Sequence, residues 1–148
     1  MYKKLIVVAA LVGSAFVTGC ASVPMASPEK DSQAKSFAVK PDKSNIYVYR
    51  NESMGGAVKL PVVLDGKIVG DTAAKTFMLL EVNPGKHQLV SKGETDSTLD
   101  LVTQPRTNYF VWQEVKMGMW AASSLLQKTD EATGKAGVAE CQLVEAKN

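Results

Sequence analysis

The sequence predicts an all-β sandwich of about seven short antiparallel strands, with a short helix near its C-terminus. Between residues 44 and 148, segments rich in β-branched and aromatic residues alternate with turn signals at intervals of about 8 to 12 residues. These roughly 105 residues are enough for one hydrophobic core and too few for two comfortable domains. We therefore expect one β-sandwich domain over residues 44–148, preceded by a signal peptide and a flexible linker.

The individual strands follow from composition and from the turns between them. Runs typical of strands occupy residues 45–50, 60–64, 67–69, 76–82, 87–92, 98–101 and 109–115. Asp65 and Gly66 alone separate two of these runs. Such a dipeptide favours a type I′ turn, in which both central residues have positive φ, so we expect a tight hairpin at this point.

The pattern becomes ambiguous after Trp120. Residues 123–127 are compatible with either a strand or a helix. Asp130 is a suitable N-cap for a short helix that begins just after it. Gly134 and Gly137 lower the helix propensity of the same segment.

The first 19 residues have the architecture of a secretory signal. Lys3 and Lys4 precede an apolar run of roughly 13 residues, which is shorter than the roughly 18 residues that a membrane span needs. The run ends in Val17-Thr18-Gly19-Cys20, which resembles the cleavage box of bacterial lipoproteins. This resemblance implies cleavage between Gly19 and Cys20, a diacylglycerol on the sulfur of Cys20 and an acylated amine. The alternative is an ordinary cleaved signal followed by an incidental cysteine.

Residues 20–43 have the composition of a flexible linker, with few large apolar side chains. A coil of this length spans roughly 25 Å, so we expect it to hold the folded domain off the bilayer. Ala21 follows the predicted lipidated cysteine. By resemblance to enterobacterial sorting rules, a residue other than Asp there implies the outer membrane, with the domain facing the periplasm.

Charge and cysteine content exclude several functional classes. Removal of the signal takes Lys3 and Lys4 from the 17 basic residues, which leaves 15 basic residues against 15 acidic ones. A neutral chain without a basic cluster is not expected to bind nucleic acid. If Cys20 is acylated, Cys141 is unpaired. Cys141 is then either a small buried apolar residue or a reactive thiol, and we favour the first because free cysteines are often buried.

Candidate catalytic residues are few. His87 is the single histidine, so a multi-histidine metal site is excluded, and we predict neither a metal nor a cofactor. We expect His87 to be a strand residue that makes local hydrogen bonds. The alternative function is a hydrolase or lipid-handling protein that uses His87 with nearby carboxylates. Glu94, Asp96 and Asp100 lie in and beside a hairpin connection, which favours a solvated loop.

Two apolar features have more than one interpretation. Tyr47, Tyr49, Phe110 and Trp112 recur with period two, as in a packed core or a carbohydrate-binding surface. The second feature is the run Met117-Gly118-Met119-Trp120, which follows the most aromatic strand. Met117, Met119 and Trp120 form a soft apolar patch of the kind used at interaction surfaces. Alternatively, Trp120 closes one end of the core.

Two segments carry a family resemblance. Residues 62–70 and 82–89 combine apolar strands with Gly turns and a Pro-Gly-Lys-His turn, and they resemble the PEGA-type β module. Together with residues 46–50 and 109–111, they resemble the bacterial lipoprotein family catalogued as domain of unknown function 2846. The resemblance implies a β fold over most of residues 44–140 and no assigned activity.

These observations together predict a lipid-anchored cell-envelope protein that performs no catalysis. We expect it to act as an interaction or structural module in the periplasm. The expected partners are the membrane, through the lipid on Cys20, and either an envelope protein or a cell-wall polymer.

Overall fold

The computed structural model describes residues 23–54 and 58–147, so the predicted signal peptide, Gly19 and Cys20 lie outside the described residues. Two β-sheets pack face to face in the described part of the chain. In chain order the elements are α1 (Pro28–Ala34), β1 (Ser44–Arg50), β2 (Leu60–Leu64), β3 (Lys67–Thr72), β4 (Thr76–Val82), β5 (Gly85–Ser91), β6 (Ser97–Thr103), β7 (Thr107–Met117), β8 (Ala122–Thr129), α2 (Glu131–Ala139) and β9 (Gln142–Leu143). This arrangement confirms the predicted β-sandwich with a short C-terminal helix.

The two sheets have different strand orders. The five-stranded sheet has the order β8-β7-β1-β4-β9, and the four-stranded sheet has the order β3-β2-β5-β6. Most neighbouring strands are antiparallel, but β1 pairs in parallel with β7 and β4 pairs in parallel with β9. The ambiguous segment after Trp120 is strand β8, which forms a hairpin with β7. The expectation of about seven antiparallel strands therefore omitted β8, β9 and these two parallel pairings.

The Asp65-Gly66 turn has the predicted backbone conformation. Asp65 has φ 50° and Gly66 has φ 82°, so both central residues lie in the left-handed region that a type I′ turn requires. The flanking strands pair from Leu64 and Lys67 outwards. The tight hairpin predicted from this dipeptide is confirmed.

The core has two layers because the five-stranded sheet is covered on both faces. Ile46, Val48 and Val111 lie in the layer between the sheets. Tyr47 and Phe110 lie on the opposite face with their ring centroids 5.2 Å apart, beneath the two helices. The period-two aromatic stripe is therefore core rather than a carbohydrate-binding surface.

Helix α2 lies very close to this aromatic layer. Its N-cap is Asp130, whose carboxylate accepts a hydrogen bond from the N–H of Thr133 at 2.7 Å. A Cβ atom at Gly134 would overlap the ring of Phe110, and one at Gly137 would overlap the ring of Tyr49. The two glycines that lower helix propensity therefore permit the close packing that stabilises α2.

The prediction of a flexible linker over residues 20–43 is wrong for residues 23–43. Helix α1 lies within this segment, with Ser27 as its N-cap and Pro28 in its first turn. Val23 and Ala34 are buried, and the phenol of Tyr47 donates a hydrogen bond to the carbonyl of Ala34 at 2.8 Å. The segment is part of the folded unit because its few apolar residues pack against the sandwich, so it provides no 25 Å spacer.

No helix in the described part of the chain is long and apolar enough to cross a membrane.

Candidate functional site

One end of the sandwich, which we call the tip end, carries the most exposed apolar residues. Strand β1 finishes there at Arg50, while β7 continues past it and turns into β8. In the connection, Met117 is 68% exposed, Met119 is 83% exposed and Trp120 is 89% exposed. We call these three residues the tip. The alternative in which Trp120 closes the core is therefore wrong, because its indole lies almost entirely in solvent.

The tip is held by the neighbouring β5–β6 connection. The carboxylate of Glu94 accepts a hydrogen bond from the backbone N–H of Trp120 at 2.8 Å. The N–H of Glu94 in turn donates to the carbonyl of Ala122 at 3.0 Å, and Gly118 donates to the carbonyl of Ala121 at 2.9 Å. Glu94 is therefore more than a solvated loop residue, since it fixes the backbone that presents Trp120.

Two glycines allow these connections to meet. A Cβ atom at Gly118 would overlap the carboxylate of Glu94, and a Cβ atom at Gly93 would lie 2.6 Å from the Cα of Ser123. Substitution at either position therefore requires the two connections to separate. The backbone of the tip is therefore packed closely against the β5–β6 connection of the other sheet.

A buried polar network lies between the sheets beneath the tip. The hydroxyl of Thr72 donates to the side-chain carbonyl of Gln113 at 2.6 Å, and the amide of Gln113 donates to the hydroxyl of Ser91 at 2.7 Å. Ser124 also donates to the Ser91 hydroxyl, at 2.5 Å. Because β7 and β8 belong to one sheet and β3 and β5 to the other, this network ties the two sheets together at the tip end.

Arg50 lies in the same region and is completely buried. Its Nη1 donates hydrogen bonds to the carbonyl of Val58 at 3.0 Å and to that of Thr72 at 3.1 Å. Burial lowers the pKa of Arg50, and the nearby Glu52 carboxylate acts in the opposite direction. The guanidinium therefore joins the end of β1 to the end of β3 and to Val58, which lies just before β2.

His87 lies at the opposite end of the sandwich. Its Nδ1 is 2.6 Å from the carboxylate of Asp65, and its Nε2 is 2.6 Å from the carbonyl oxygen of Asn83. Both partners are acceptors, so both ring nitrogens donate when the ring is protonated. Burial acts to lower the pKa of His87, but the bonds to Asp65 and Asn83 together raise it above its ordinary value.

This arrangement gives His87 a structural role. A general base needs a free ring nitrogen within reach of a reacting proton, and both nitrogens of His87 are engaged. The other predicted carboxylates do not converge on the ring: Asp96 pairs with Lys92, and Asp100 accepts a bond from Gln88. The expectation of local hydrogen bonds is confirmed, and Asp65 is the carboxylate partner that sequence reasoning missed.

The sequence analysis also raised a reactive cysteine and a metal site. Cys141 is buried, its thiol donates to the carbonyl of Arg50 at 3.4 Å, and burial raises its pKa to about 12. It is therefore the buried residue that we favoured and not a reactive thiol. Among the described residues, no group of three or more histidines, cysteines and carboxylates is placed to hold a metal ion.

A groove of about 600 Å³ runs along the outer face of the five-stranded sheet, between α1 and residues 143–146. Its lining includes Tyr47, Leu79 and Ala34, with Lys30 and Lys40 at its rim, and His87 is not part of it. Salt bridges at 3.2 Å join Lys30 to Glu145 and Lys40 to Glu81. The groove holds no arrangement of convergent catalytic groups.

Comparison with known proteins identifies the family. The sequence profile described as "Protein of unknown function (DUF2846)" matches residues 40–124, more than half of the chain. The chain belongs to the DUF2846 family. A protein of Haemophilus influenzae named "Uncharacterized protein" is 32% identical over 145 residues, which cover 95% of this chain and 86% of that protein. No solved structure matches the chain.

The DUF2846 match contains the tip, the connection that holds it and His87. It begins before β1 and ends within β8, so α2 and β9 lie outside it. The residues predicted as an interaction surface, Met117, Met119 and Trp120, are all exposed. No local sequence signal identifies Glu94 as their support, because its contact depends on which strands the two connections join.

Proposed function

We propose that this DUF2846 protein is a lipid-anchored, non-catalytic interaction or structural module of the bacterial cell envelope. In this proposal Cys20 carries the lipid, and the domain faces the periplasm at the outer membrane. The observation that carries the interaction role is the tip, in which three large apolar side chains within four residues are exposed.

The tip has two properties of a binding surface. Single exposed apolar residues are common, but a cluster containing Trp and Met is typical of surfaces that bind a partner. Its backbone is also fixed before binding, because Glu94 holds Trp120 and Gly118 bonds to Ala121. A pre-ordered surface loses less conformational entropy on binding, so its apolar contacts contribute more to affinity.

The alternative function, a hydrolase or lipid-handling protein using His87, has no support from this geometry. Both nitrogens of His87 are engaged by Asp65 and Asn83, on the side of the molecule opposite the tip. A catalytic role would require the ring to leave both partners. We therefore retain the non-catalytic function.

The PEGA-like resemblance is part of the proposal. Residues 62–70 and 82–89, which carry it, lie mostly in β2, β3 and β5 of the four-stranded sheet. Modules of this kind supply a scaffold rather than a reactive group. We propose that this sheet supports the tip through the buried network of Ser91, Thr72 and Gln113.

Two measurements in intact cells test this function. Metabolic labelling with an alkyne fatty acid should mark the wild-type protein and fail to mark Cys20→Ser, which should leave the membrane fraction. A photo-crosslinking residue at Met119 should capture an envelope component, whereas the same residue at the exposed Lys86, at the opposite end, should capture little.

Each measurement tests a different part of the proposal and can contradict that part alone. Labelling of Cys20→Ser at the wild-type level would refute the anchor. Equal capture from positions 119 and 86 would refute the tip as the interaction surface. Capture of an envelope protein or a cell-wall polymer would match the sequence-based expectation.

A further inference from the structure

The tip carries the two most exposed sulfur-containing side chains in the described part of the chain. Met119 is 83% exposed and Met117 is 68% exposed. Three other methionines are described, of which Met54 is 60% exposed, Met25 is 42% exposed and Met78 is completely buried. Oxidation of a thioether requires contact between the oxidant and the sulfur atom. An oxidant dissolved in the surrounding water therefore has its best access to sulfur at the tip.

The thiol of Cys141 does not compete with the tip for an oxidant. Cysteine reacts as the thiolate, and it does so only where the oxidant can reach it. Cys141 is buried beneath α2, and its thiol donates a hydrogen bond to the carbonyl of Arg50. Within the described residues, the thioethers of Met117 and Met119 are therefore more accessible to an oxidant than the thiol.

Oxidation changes the chemical character of a methionine side chain. Hypochlorous acid converts the thioether to a sulfoxide: one S–O bond forms, the O–Cl bond breaks, and chloride and one proton are released. The sulfur loses two electrons and the chlorine gains them. The sulfoxide is polar, and its oxygen accepts hydrogen bonds. Methionine sulfoxide reductases, one for each epimer, restore the thioether, so the change is reversible.

The structure allows the tip to be oxidised without damage to the fold. Met78 is the methionine of the core, and it is protected by complete burial. The bonds that hold the tip use the Glu94 carboxylate and the carbonyls of Ala121 and Ala122, so none of them involves a sulfur atom. Oxidation of the two exposed methionines therefore changes the surface of the tip while its backbone remains in place.

A sulfoxide at the tip opposes the binding of an apolar partner. Two backbone donors of the tip are already engaged, the N–H of Trp120 by Glu94 and the N–H of Gly118 by Ala121. A sulfoxide oxygen on Met117 or Met119 therefore cannot use these donors, and it is hydrated by solvent. A partner that covers the tip removes this water, and burial of a polar acceptor without a new hydrogen bond is unfavourable.

We propose that Met117 and Met119 are a reversible modification site that makes binding at the tip sensitive to oxidants such as hypochlorous acid. The tip binds its partner when both side chains are thioethers and releases it when they are sulfoxides. This inference rests on the proposed interaction role of the tip and adds its regulation. It does not depend on the lipid on Cys20, because the reaction requires only the two exposed thioethers and the oxidant.

Photo-crosslinking in intact cells tests the inference with the full-length protein. A photo-crosslinking residue at the exposed Ala121 leaves both tip methionines in place. Brief treatment with hypochlorous acid should lower capture by about tenfold or more. Met117→Leu/Met119→Leu keeps apolar side chains of similar size and should retain its capture after treatment. Met25→Leu/Met54→Leu is the matched control, in which the tip can still be oxidised, and it should lose capture as the wild type does.

Peptide mass spectrometry of the same samples measures the sulfoxide at each methionine. Full capture by wild-type protein with both tip methionines oxidised would overturn the inference and leave the interaction role intact. An equal loss in Met117→Leu/Met119→Leu would assign the effect to another group and would also overturn it. Absence of capture before treatment would refute the interaction role, and the inference with it. Recovery of wild-type capture in oxidised membranes treated with both classes of reductase would support it.

Discussion

The two ends of the sandwich distribute polar and apolar groups in opposite ways. At the tip end, polar side chains such as Gln113 are buried, while Trp120 and two methionines are exposed. At the opposite end, His87 and Asp65 form a surface ion pair beside tight turns. Exposed apolar residues do not stabilise a fold, so the tip end is where the chain departs most from what stability alone favours.

The largest expected effect is loss of the buried network at the tip end. Gln113→Leu should lower the free energy of unfolding by about 2 to 4 kcal/mol, because Thr72 and Ser91 each lose a buried partner. Gln88→Leu is the matched control at an exposed position of the other sheet and should change stability by about 0.5 kcal/mol or less. Urea denaturation measures both. Equal losses would show that the network contributes nothing specific.

At the opposite end, the turn at Gly66 should be the most sensitive position. Gly66→Val should cost about 1 to 2 kcal/mol, because a β-branched residue is strained at φ 82°. Gly66→Asn is the control, since Asn tolerates positive φ. Thermal unfolding of both variants measures the difference, and an unchanged melting temperature in Gly66→Val would argue against the type I′ turn.

A smaller, pH-dependent effect is expected from the ion pair of His87 and Asp65. The raised pKa of His87 stabilises the fold below about pH 6.5, and this contribution is lost as the pH rises through the folded value. Burial acts to raise the pKa of Asp65, but its bonds to His87 and Gln88 lower it overall. The contribution of Asp65 is therefore present above about pH 3.9 and lost as the pH falls through the folded value.

The pair should therefore stabilise most between about pH 4 and pH 6.5, by less than about 1 kcal/mol because Asp65 is half exposed. His87→Gln should reduce the decline in stability between about pH 5.5 and pH 8.5, as measured by urea denaturation at several pH values. An identical pH dependence in the variant would assign the decline to other groups.

The smallest effect is expected at the tip itself. Trp120→Ala should change the free energy of unfolding by about 0.5 kcal/mol or less, since the indole is 89% exposed. A buried tryptophan would cost about 3 to 5 kcal/mol. Calorimetry distinguishes these values, and a loss in the larger range would place Trp120 in the core of the protein in solution.

The features predicted correctly from the sequence are those determined by residues close together in the chain. The Asp65-Gly66 hairpin follows from the φ values that two adjacent residues favour, and Asp130 marks the start of α2 through a bond to its own first turn. The alternation of apolar residues also predicted the sandwich. These features require no knowledge of distant contacts.

Features that depend on contacts between residues far apart in the chain were not predicted from the sequence. Helix α1 has seven residues and is too short to be stable alone, so it depends on packing at Ala34 and on the bond from Tyr47. The parallel pairing of β1 with β7 joins strands that are far apart in the chain. The exposure of Trp120 could not be predicted either, because composition alone does not show whether a Met- and Trp-rich run is covered.

The late position of strand β9 in the chain affects when an edge of the five-stranded sheet is covered during folding. Strand β9 pairs with Thr76 and Phe77 at the start of β4, and without β9 these two residues would lie at an open sheet edge. An uncovered edge of this kind pairs readily with other chains and promotes aggregation. The residues that cover it, Gln142 and Leu143, are synthesised about 60 residues after β4 ends. Until this later segment is synthesised, the start of β4 therefore has no strand partner on that side.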